Sequence, residues 1–298
     1  MSNSILFYLT LVSIVLLVFI YKRREENESN LGFKIVGYCL LGGFTFVMND
    51  FPIPLGFLMF VLFVRPTTNV KTKHNAVFLG LACFILQLII PAVDEYVYER
   101  PREVAGVTTN IFQVDFIKDW FTIQEHMKID PNARLEKFRV EYRPDGQISR
   151  LSYNVVGQSK DGFIYYDIRF SSETKEYAIQ RHKVGDQWLQ YDRSIDATRF
   201  FEVLDQVQVR NLSLEHLSEG NIVLSSDGEM TSYAIKDRRR YLIQGMEIKE
   251  ITNDQLPIKG YYISMCRMSK TDATFSGSTR SYSCKRDVDY FFDVAHRK

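Results

Sequence analysis

Apolar residues form long continuous runs in the first 93 residues of the chain, and such runs predict helices that cross a membrane. We predict four spans, at about 4–21, 31–48, 51–64 and 76–93. The two middle spans are separated at Asn49-Asp50, because Pro52 and Pro54 cannot continue a straight helix. The stretch between 31 and 64 is therefore either two full spans or a re-entrant hairpin.

Basic residues near these runs predict the orientation of the spans. Lys22, Arg23 and Arg24 follow the first run, and four spans place every basic residue of this region on the cytoplasmic side. An even number of crossings returns the chain to the side on which it began. We therefore expect a multi-pass protein of the cell membrane whose N-terminus and C-terminal domain are both extracytoplasmic.

The pattern changes after residue 93, where charged residues become frequent and evenly spread. We interpret 94–110 as a linker and 111–298 as an extracytoplasmic domain. A helical apolar period covers Ile111–Met127, and an alternating period begins at Leu135, as is typical of strands with one buried face. We expect a strand at 188–191, a second helix whose apolar stripe includes Phe200 and Leu204, and further strands, one of them over Tyr241–Ile251. This order allows a division into two subunits near 192–196.

The predicted fold class joins these two regions. It is a multi-pass α-helical membrane anchor followed by an extracytoplasmic α+β domain rich in antiparallel β-meanders. The mean hydropathy of −0.15 averages over both regions and hides the difference between them.

Charge composition excludes one class of partner. The chain carries 37 Lys and Arg against 36 Asp and Glu, a net charge of +1. Nucleic-acid binding needs a concentrated basic face that displaces counterions, so we expect no nucleic-acid partner. The lipid bilayer is an expected partner, together with either a protein or an envelope polymer.

The four cysteines separate into two pairs. Cys39 and Cys83 lie in predicted spans and suit a packing role. Cys266 and Cys284 lie on neighbouring predicted strands of the extracytoplasmic domain, where an oxidising environment permits a disulfide; two free thiols are the alternative. No CxxC or His-rich spacing occurs, so the sequence predicts no metal site and no cofactor.

Two charged clusters are candidates for binding. Lys236, Arg238, Arg239 and Arg240 form a basic turn that could hold an anionic envelope polymer or a lipid headgroup, although a solvated turn has the same composition. Asp287, Asp289 and Asp293 resemble a cation-binding cluster, although their alternation equally fits the edge of a strand.

These observations favour a membrane-anchored envelope protein that displays an extracytoplasmic binding domain, with no catalytic residue identified. The alternative is a membrane-tethered enzyme, most simply a hydrolase, whose active site is assembled from scattered residues. A second alternative is an accessory subunit of a channel or transporter, which would need a wet groove lined by Gln87 and Tyr38. A concave pocket that joins perturbed acids would favour the enzyme.

Overall fold

The fold is taken from a computed structural model that describes residues 2–49, 51–186, 193–212, 220–235, 238–270 and 282–294. The side chains of 2–6, 269–270 and 282–287 are outside the description. The chain divides into two compact units, Met1–Tyr98 and Glu99–Lys298. We call the first the N-terminal unit and the second the sheet unit.

Six α-helices occur in the described residues. They are α1 (Ser2–Lys22), α2 (Leu31–Gly43), α3 (Leu55–Phe63), α4 (Val70–Glu99), α5 (Phe116–Met127) and α6 (Ala197–Val207). Short 3₁₀ turns cover Ile111–Gln113, Val209–Asn211 and Asn253–Gln255. Side chains cap both helices of the sheet unit, because Asp115 accepts from the Lys118 amide and Asp196 accepts from the Arg199 amide.

Fourteen strands occur in the same residues. They are β1 (Phe46–Met48), β2 (Phe51–Ile53), β3 (Arg102–Ala105), β4 (Arg134–Tyr142), β5 (Ile148–Ser159), β6 (Gly162–Ser171), β7 (Glu176–Lys183), β8 (Ile195–Asp196), β9 (Ile222–Ser226), β10 (Glu229–Ser232), β11 (Arg239–Gln244), β12 (Glu247–Glu250), β13 (Ile258–Lys270) and β14 (Tyr282–Phe292). The strand expected at 188–191 lies outside the described residues.

Strands β1 and β2 form a small hairpin in the N-terminal unit, and the other twelve form one mixed sheet. Its main path runs β12-β11-β14-β13-β9-β4-β5-β6-β7-β3, with β10 beside β13 and β8 beside β4. Strands β11 and β14 are parallel, whereas the other described pairs of this sheet are antiparallel. The division expected near 192–196 falls between β7 and α6, and the sheet continues across it.

Helices α5 and α6 cover one face of this sheet and bury its main core. The rings of Phe138 on β4 and Phe200 on α6 are 5.1 Å apart, and those of Tyr153 on β5 and Phe201 on α6 are 5.2 Å apart. Trp120 of α5 packs on Phe201 and donates its indole N–H to the Thr198 hydroxyl. The same core extends from Val104 to Phe292, so its residues come from the whole length of the sheet unit.

Glycines bring the helices of the N-terminal unit into backbone contact. A Cβ atom on Gly42 would lie 2.0 Å from the Val77 carbonyl oxygen, and one on Gly80 would lie 1.9 Å from the Cys39 carbonyl oxygen. A Cβ atom on Gly56 would lie 1.9 Å from the Leu41 carbonyl oxygen. Small residues that allow helices to approach this closely are typical of helix interfaces in membranes.

The predicted multi-pass anchor is wrong. Of the helices in the described residues, only α4 is long and apolar enough to cross a membrane, while Phe7–Lys22 and Leu31–Gly43 are apolar but shorter. The expected span at 31–48 ends as a helix at Gly43, and the one at 51–64 contains nine helical residues. At 1.5 Å per residue these two helices rise about 20 Å and 14 Å, against a hydrocarbon thickness of about 30 Å.

This error has a local cause. Residues 46–48 and 51–53 are as apolar as their neighbours, but they pair as the strands β1 and β2, and Asn49 after β1 adopts a positive φ of 49°. An all-apolar run has no period that distinguishes a strand from a helix. The single mixed sheet also replaces the predicted antiparallel meanders as the description of the fold class. The orientation that was derived from four crossings loses its basis.

Candidate functional site

The face of the sheet opposite α5 and α6 carries a row of polar side chains. Successive side chains of a strand point to opposite faces, so partners in register share a face. Following the register across seven strands gives Arg240, Asp289, Ser264, Ser225, Arg139, Ser152 and Arg169 in one line. We call this surface the polar face.

A cavity of about 420 Å³ opens in the middle of the polar face. Strands β4, β5 and β9 and the residue after β9 form its walls. The lining residues are Lys137, Phe138, Arg139, Ser152, Asn154, Ser225 and Asp227. Since Phe138 is buried in the core on the other face, the side chains available to a ligand are polar. The volume is within the range of small-molecule sites.

An irregularity in β4 shapes this cavity. The register between β4 and β5 shifts between Leu135 and Lys137, so Glu136 has no direct partner on β5. Such bulges bend a strand and redirect its side chains, and they are frequent beside binding sites. Lys137 then stands opposite Asn154, two residues from Arg139 on the same strand.

Most charged groups around the cavity are already neutralised by neighbours. Arg139 donates twice to Glu141, at 2.9 and 2.8 Å. Arg169 donates to both carboxylate oxygens of Asp167, and Asn154 donates to Asp167 at 3.4 Å. Among the described residues, Lys137, Ser152 and Ser225 have no such hydrogen bond or ion pair.

Two acidic residues adjoin the cavity in different environments. Asp227 accepts from the Tyr262 hydroxyl at 3.5 Å and lies among the lining residues. Burial raises the pKa of the Glu136 carboxyl; Lys137 partly offsets this rise and Asp227 adds to it. Burial, with Glu136 nearby, raises the pKa of Tyr165 to about 12. Glu136, whose carboxyl is perturbed, does not line the cavity.

A second cavity of about 410 Å³ lies between the start of α5 and the end of α6. Both of its acids serve the helix. Asp115 caps α5, and Asp205 accepts from the Phe116 and Ile117 amides at 3.1 and 2.8 Å. These bonds satisfy amide groups that the first turn of a helix leaves without a partner. The lining also includes Gln208 and Arg210, and the Arg210 guanidinium lies over the Phe112 ring, 5.2 Å from its centroid.

The predicted basic turn is largely closed to ligands. Lys236 lies outside the described residues. Arg238 pairs with Asp289, which is 0% exposed, while Arg240 is 3% exposed and donates to the Ser232 hydroxyl and the Tyr233 carbonyl. Only Arg239 of the described members points its side chain into solvent. Two of the three arginines therefore stabilise the sheet.

The predicted aspartate cluster is dispersed. Asp289 binds Arg238 and accepts from the Ser264 hydroxyl, whereas Asp293 receives two hydrogen bonds from Arg199 of α6. The side chain of Asp287 lies outside the described residues. Among the residues that are described, no group of three His, Cys, Asp or Glu side chains is placed to hold a metal ion.

The structure describes one partner of the predicted Cys266–Cys284 disulfide, and that partner, Cys266, is disulfide-bonded. Cys266 on β13 stands opposite Arg286 on β14, and Cys284 stands opposite Met268. The side chain of Cys284 lies outside the description, so no disulfide has both partners within it. Cys39 and Cys83 are free thiols in the N-terminal unit. The sulfur of Cys83 lies 3.1 Å from the Ser13 hydroxyl, as expected for a packing role.

The residues that line the polar-face cavity were not identified from sequence. They belong to three strands that are distant in the chain, and none stands in a recognised motif. Their only sequence signal is that they occupy the polar positions of alternating strands. The pairing of β4 with β9, which brings Ser225 to Arg139, is visible only in the register.

Comparisons with known proteins add one finding. No curated protein and no solved structure matches the chain. A family found in archaea matches residues 120–284, which is just over half of the chain and includes every residue that lines the polar-face cavity. The protein therefore belongs to this archaeal family.

Proposed function

We propose that this protein is a membrane-attached binding protein whose sheet unit holds a small polar ligand in the polar-face cavity. The cavity carries the proposal, because it joins an exposed lysine and two hydroxyl groups that have no hydrogen-bond or ion-pair partner among the described residues. A ligand that supplied the missing partners would satisfy these groups.

The geometry favours binding over catalysis. An active site usually brings together groups with shifted pKa values within one pocket. The carboxyls whose pKa is raised by burial are those of Asp119, Glu136 and Asp205. None of the three lines the polar-face cavity. Asp205 lines the second cavity, where it accepts hydrogen bonds from two helix amides. Neither cavity of the described residues joins two of these carboxyls, so the geometry does not favour the hydrolase alternative.

Attachment to the membrane is proposed through α4. This helix has 30 residues, and most side chains of its apolar stretch are exposed. Arg65, Lys71 and Lys73 precede the apolar stretch, and Asp94 and Glu95 follow it. Positive residues favour the cytoplasmic side of a span, so the sheet unit is proposed to be extracytoplasmic.

A cavity-filling variant tests the binding proposal. The full-length protein, in detergent micelles, is screened by thermal shift against hexoses, amino acids, dicarboxylates and inorganic phosphate. At least one class should raise the melting temperature of the wild type but not that of Ser152→Trp, whose indole would occupy the cavity. The control Gln158→Trp, six residues further along β5, should respond like the wild type. Equal responses from all three proteins would contradict the proposal.

A second measurement tests attachment. The wild type should stay with membranes after alkaline extraction. Ile85→Arg with Ile89→Arg should reduce that retention, because the two side chains are exposed one turn apart on α4 and each charge is costly in hydrocarbon. Tyr96→Arg, at the end of the helix, is the control with little effect. Release of the wild type would contradict attachment.

A further inference from the structure

We propose that the polar-face cavity recognises an anionic group, a carboxylate or a phosphate, and that Lys137 is its charged anchor. This inference rests on the proposed function, since it specifies the ligand chemistry of the same cavity.

Lys137 differs from its neighbours in forming no ion pair among the described residues, although its charge offsets part of the rise in the pKa of the adjacent Glu136 carboxyl. Arg139 is held by Glu141 at 2.8 Å, Arg169 by Asp167, and Arg238 by the buried Asp289. Lys137 is exposed and, among the described residues, forms no ion pair. A cation without a partner, set in the wall of a cavity, attracts an anion more strongly than one on an open surface, because low-dielectric walls focus its field.

Neutral donors line the same cavity as Lys137. Ser152 and Ser225 flank Arg139 in register from β5 and β9, and Asn154 stands opposite Lys137. The hydroxyls lack partners among the described residues, and the amide of Asn154 makes only a long bond of 3.4 Å. Hydroxyl and amide donors beside an ammonium group are the usual ligands of carboxylate and phosphate oxygens.

Other basic groups of the protein are less suited to an anion. Lys34 and Lys73 both bind Glu28, at 2.7 and 2.9 Å. Arg240 is buried and donates to carbonyl oxygens, so its hydrogen-bonding capacity is used within the sheet. The second cavity is lined by Arg210, whose guanidinium lies over the Phe112 ring, but also by the acids Asp115 and Asp205. Of the two cavities, the polar-face cavity is therefore the better suited to an anion.

Replacement of Asp227 provides a control for which the change in anion affinity should have the opposite sign. Its carboxylate lines the same cavity and repels an anion there. Replacing it by the isosteric asparagine should remove this repulsion and strengthen anion binding. A variant that merely damaged the fold could not produce tighter binding, so the direction of this change is diagnostic.

Calorimetric titration of the full-length protein in micelles tests the proposal, with inorganic phosphate and succinate as separate probes. Lys137→Met should weaken binding of the preferred probe by about tenfold or more, as expected when a charged hydrogen bond is lost. Asp227→Asn should tighten binding several-fold. Lys160→Met, at the exposed turn between β5 and β6, should bind like the wild type. The preferred probe tells whether the site selects carboxylates or phosphates.

Three results would overturn the proposal: neither probe binds the wild type, Lys137→Met binds as tightly as the wild type, or Asp227→Asn does not bind more tightly. The proposed function fails differently. If a neutral hexose protects the wild type but not Ser152→Trp, the cavity is a binding site without anion selectivity. If Ser152→Trp alters no ligand response, the cavity is not the binding site.

Discussion

The two units place their polar and apolar side chains in opposite ways. In the sheet unit, aromatic side chains fill the core, as expected for a domain that folds in water. In the N-terminal unit, Phe33 is 82% and Phe63 is 77% exposed, while Asn69 and Lys73 are only 2% and 5% exposed. The N-terminal unit therefore exposes large apolar side chains and buries some polar ones, whereas the sheet unit buries its aromatic side chains.

Different interactions hold the two units together. The sheet unit is stabilised by the burial of large side chains from all parts of its sequence. The N-terminal unit instead uses backbone contact at glycines and one buried polar cluster, in which the Asn69 oxygen accepts from the Glu25 and Glu26 amides and Lys73 binds Glu28. Exposed apolar surface cannot contribute to its folding unless it is removed from water by lipid or detergent.

The largest expected effect distinguishes buried from exposed phenylalanines. Phe201→Ala should lower the free energy of unfolding of the sheet unit by about 3–5 kcal/mol, because the ring is buried and packs on Phe116, Trp120 and Tyr153. Phe33→Ala should change stability by no more than about 0.5 kcal/mol. Denaturant unfolding in micelles, followed by near-ultraviolet circular dichroism, measures both. Similar losses in both variants would show that the two units do not differ in this way.

Backbone contact in the N-terminal unit gives the next largest effect. Gly80→Ala places a methyl group 1.9 Å from the Cys39 carbonyl oxygen, so α2 and α4 must separate, at a cost of about 1–3 kcal/mol or more. Gly37→Ala is the matched control, because nothing lies within 4 Å of the added atom. Limited proteolysis in micelles should show faster cleavage of the N-terminal unit in Gly80→Ala only. Equal protection in both variants would exclude tight packing at Gly80.

Loss of the buried polar cluster should have a somewhat smaller effect. Asn69 has a positive φ of 47° and binds two amides of the α1–α2 connection, so Asn69→Gly keeps the backbone conformation and removes the bonds. The expected cost is about 1–3 kcal/mol. Asn30→Gly makes the same change at a φ of 57° where the side chain forms no capping bond. Equal proteolysis of these two variants would show that the cluster contributes nothing.

Sequence patterns predicted the sheet unit better than the N-terminal unit, for a physical reason. The alternation predicted from Leu135 lies in β4, and the predicted apolar stripe with Phe200 and Leu204 lies in α6. Both patterns were readable because each element has one buried face and one solvent-exposed face. In the N-terminal unit no such contrast exists, and the β1–β2 hairpin was mistaken for part of two spans. The strand predicted over Tyr241–Ile251 is in fact the β11–β12 hairpin, and Gly245, with a φ of 63°, was its overlooked signal.

The binding site could not be predicted, because it depends on register. The density of arginines at 238–240 suggested an anion site, but local density does not reveal that Asp289 neutralises Arg238 from a distant strand. Conversely, Lys137 looks ordinary in the sequence. Lys137 becomes a candidate because Asn154 of β5 stands opposite it and Ser225 of β9 lines the same cavity. Pairing between strands that are distant in the chain is not encoded in a local pattern.

The smallest expected effect is a pH dependence that belongs to the sheet unit. Burial raises the pKa of Asp119, although the hydrogen bond from the Tyr177 hydroxyl, at 2.7 Å, opposes the rise. The folded state therefore binds this proton more tightly than the unfolded state does. Stability should fall as pH rises from about 4, the usual pKa of an aspartate, through the raised folded-state value.

Asp119→Asn should remove this fall, because an asparagine oxygen accepts the Tyr177 hydrogen bond without ionising. The difference in unfolding free energy between wild type and variant, measured at several pH values from 3.5 to 7, isolates Asp119 from Glu136 and Asp205, whose pKa values are also raised. Glu247→Gln is a control for which the pH dependence of stability should have the opposite sign. Lys249 lowers the pKa of Glu247, so its contribution is present above the unfolded pKa and is lost as pH falls. A wild-type minus Asp119→Asn difference that did not depend on pH would show that the Asp119 carboxyl titrates alike in the folded and unfolded states.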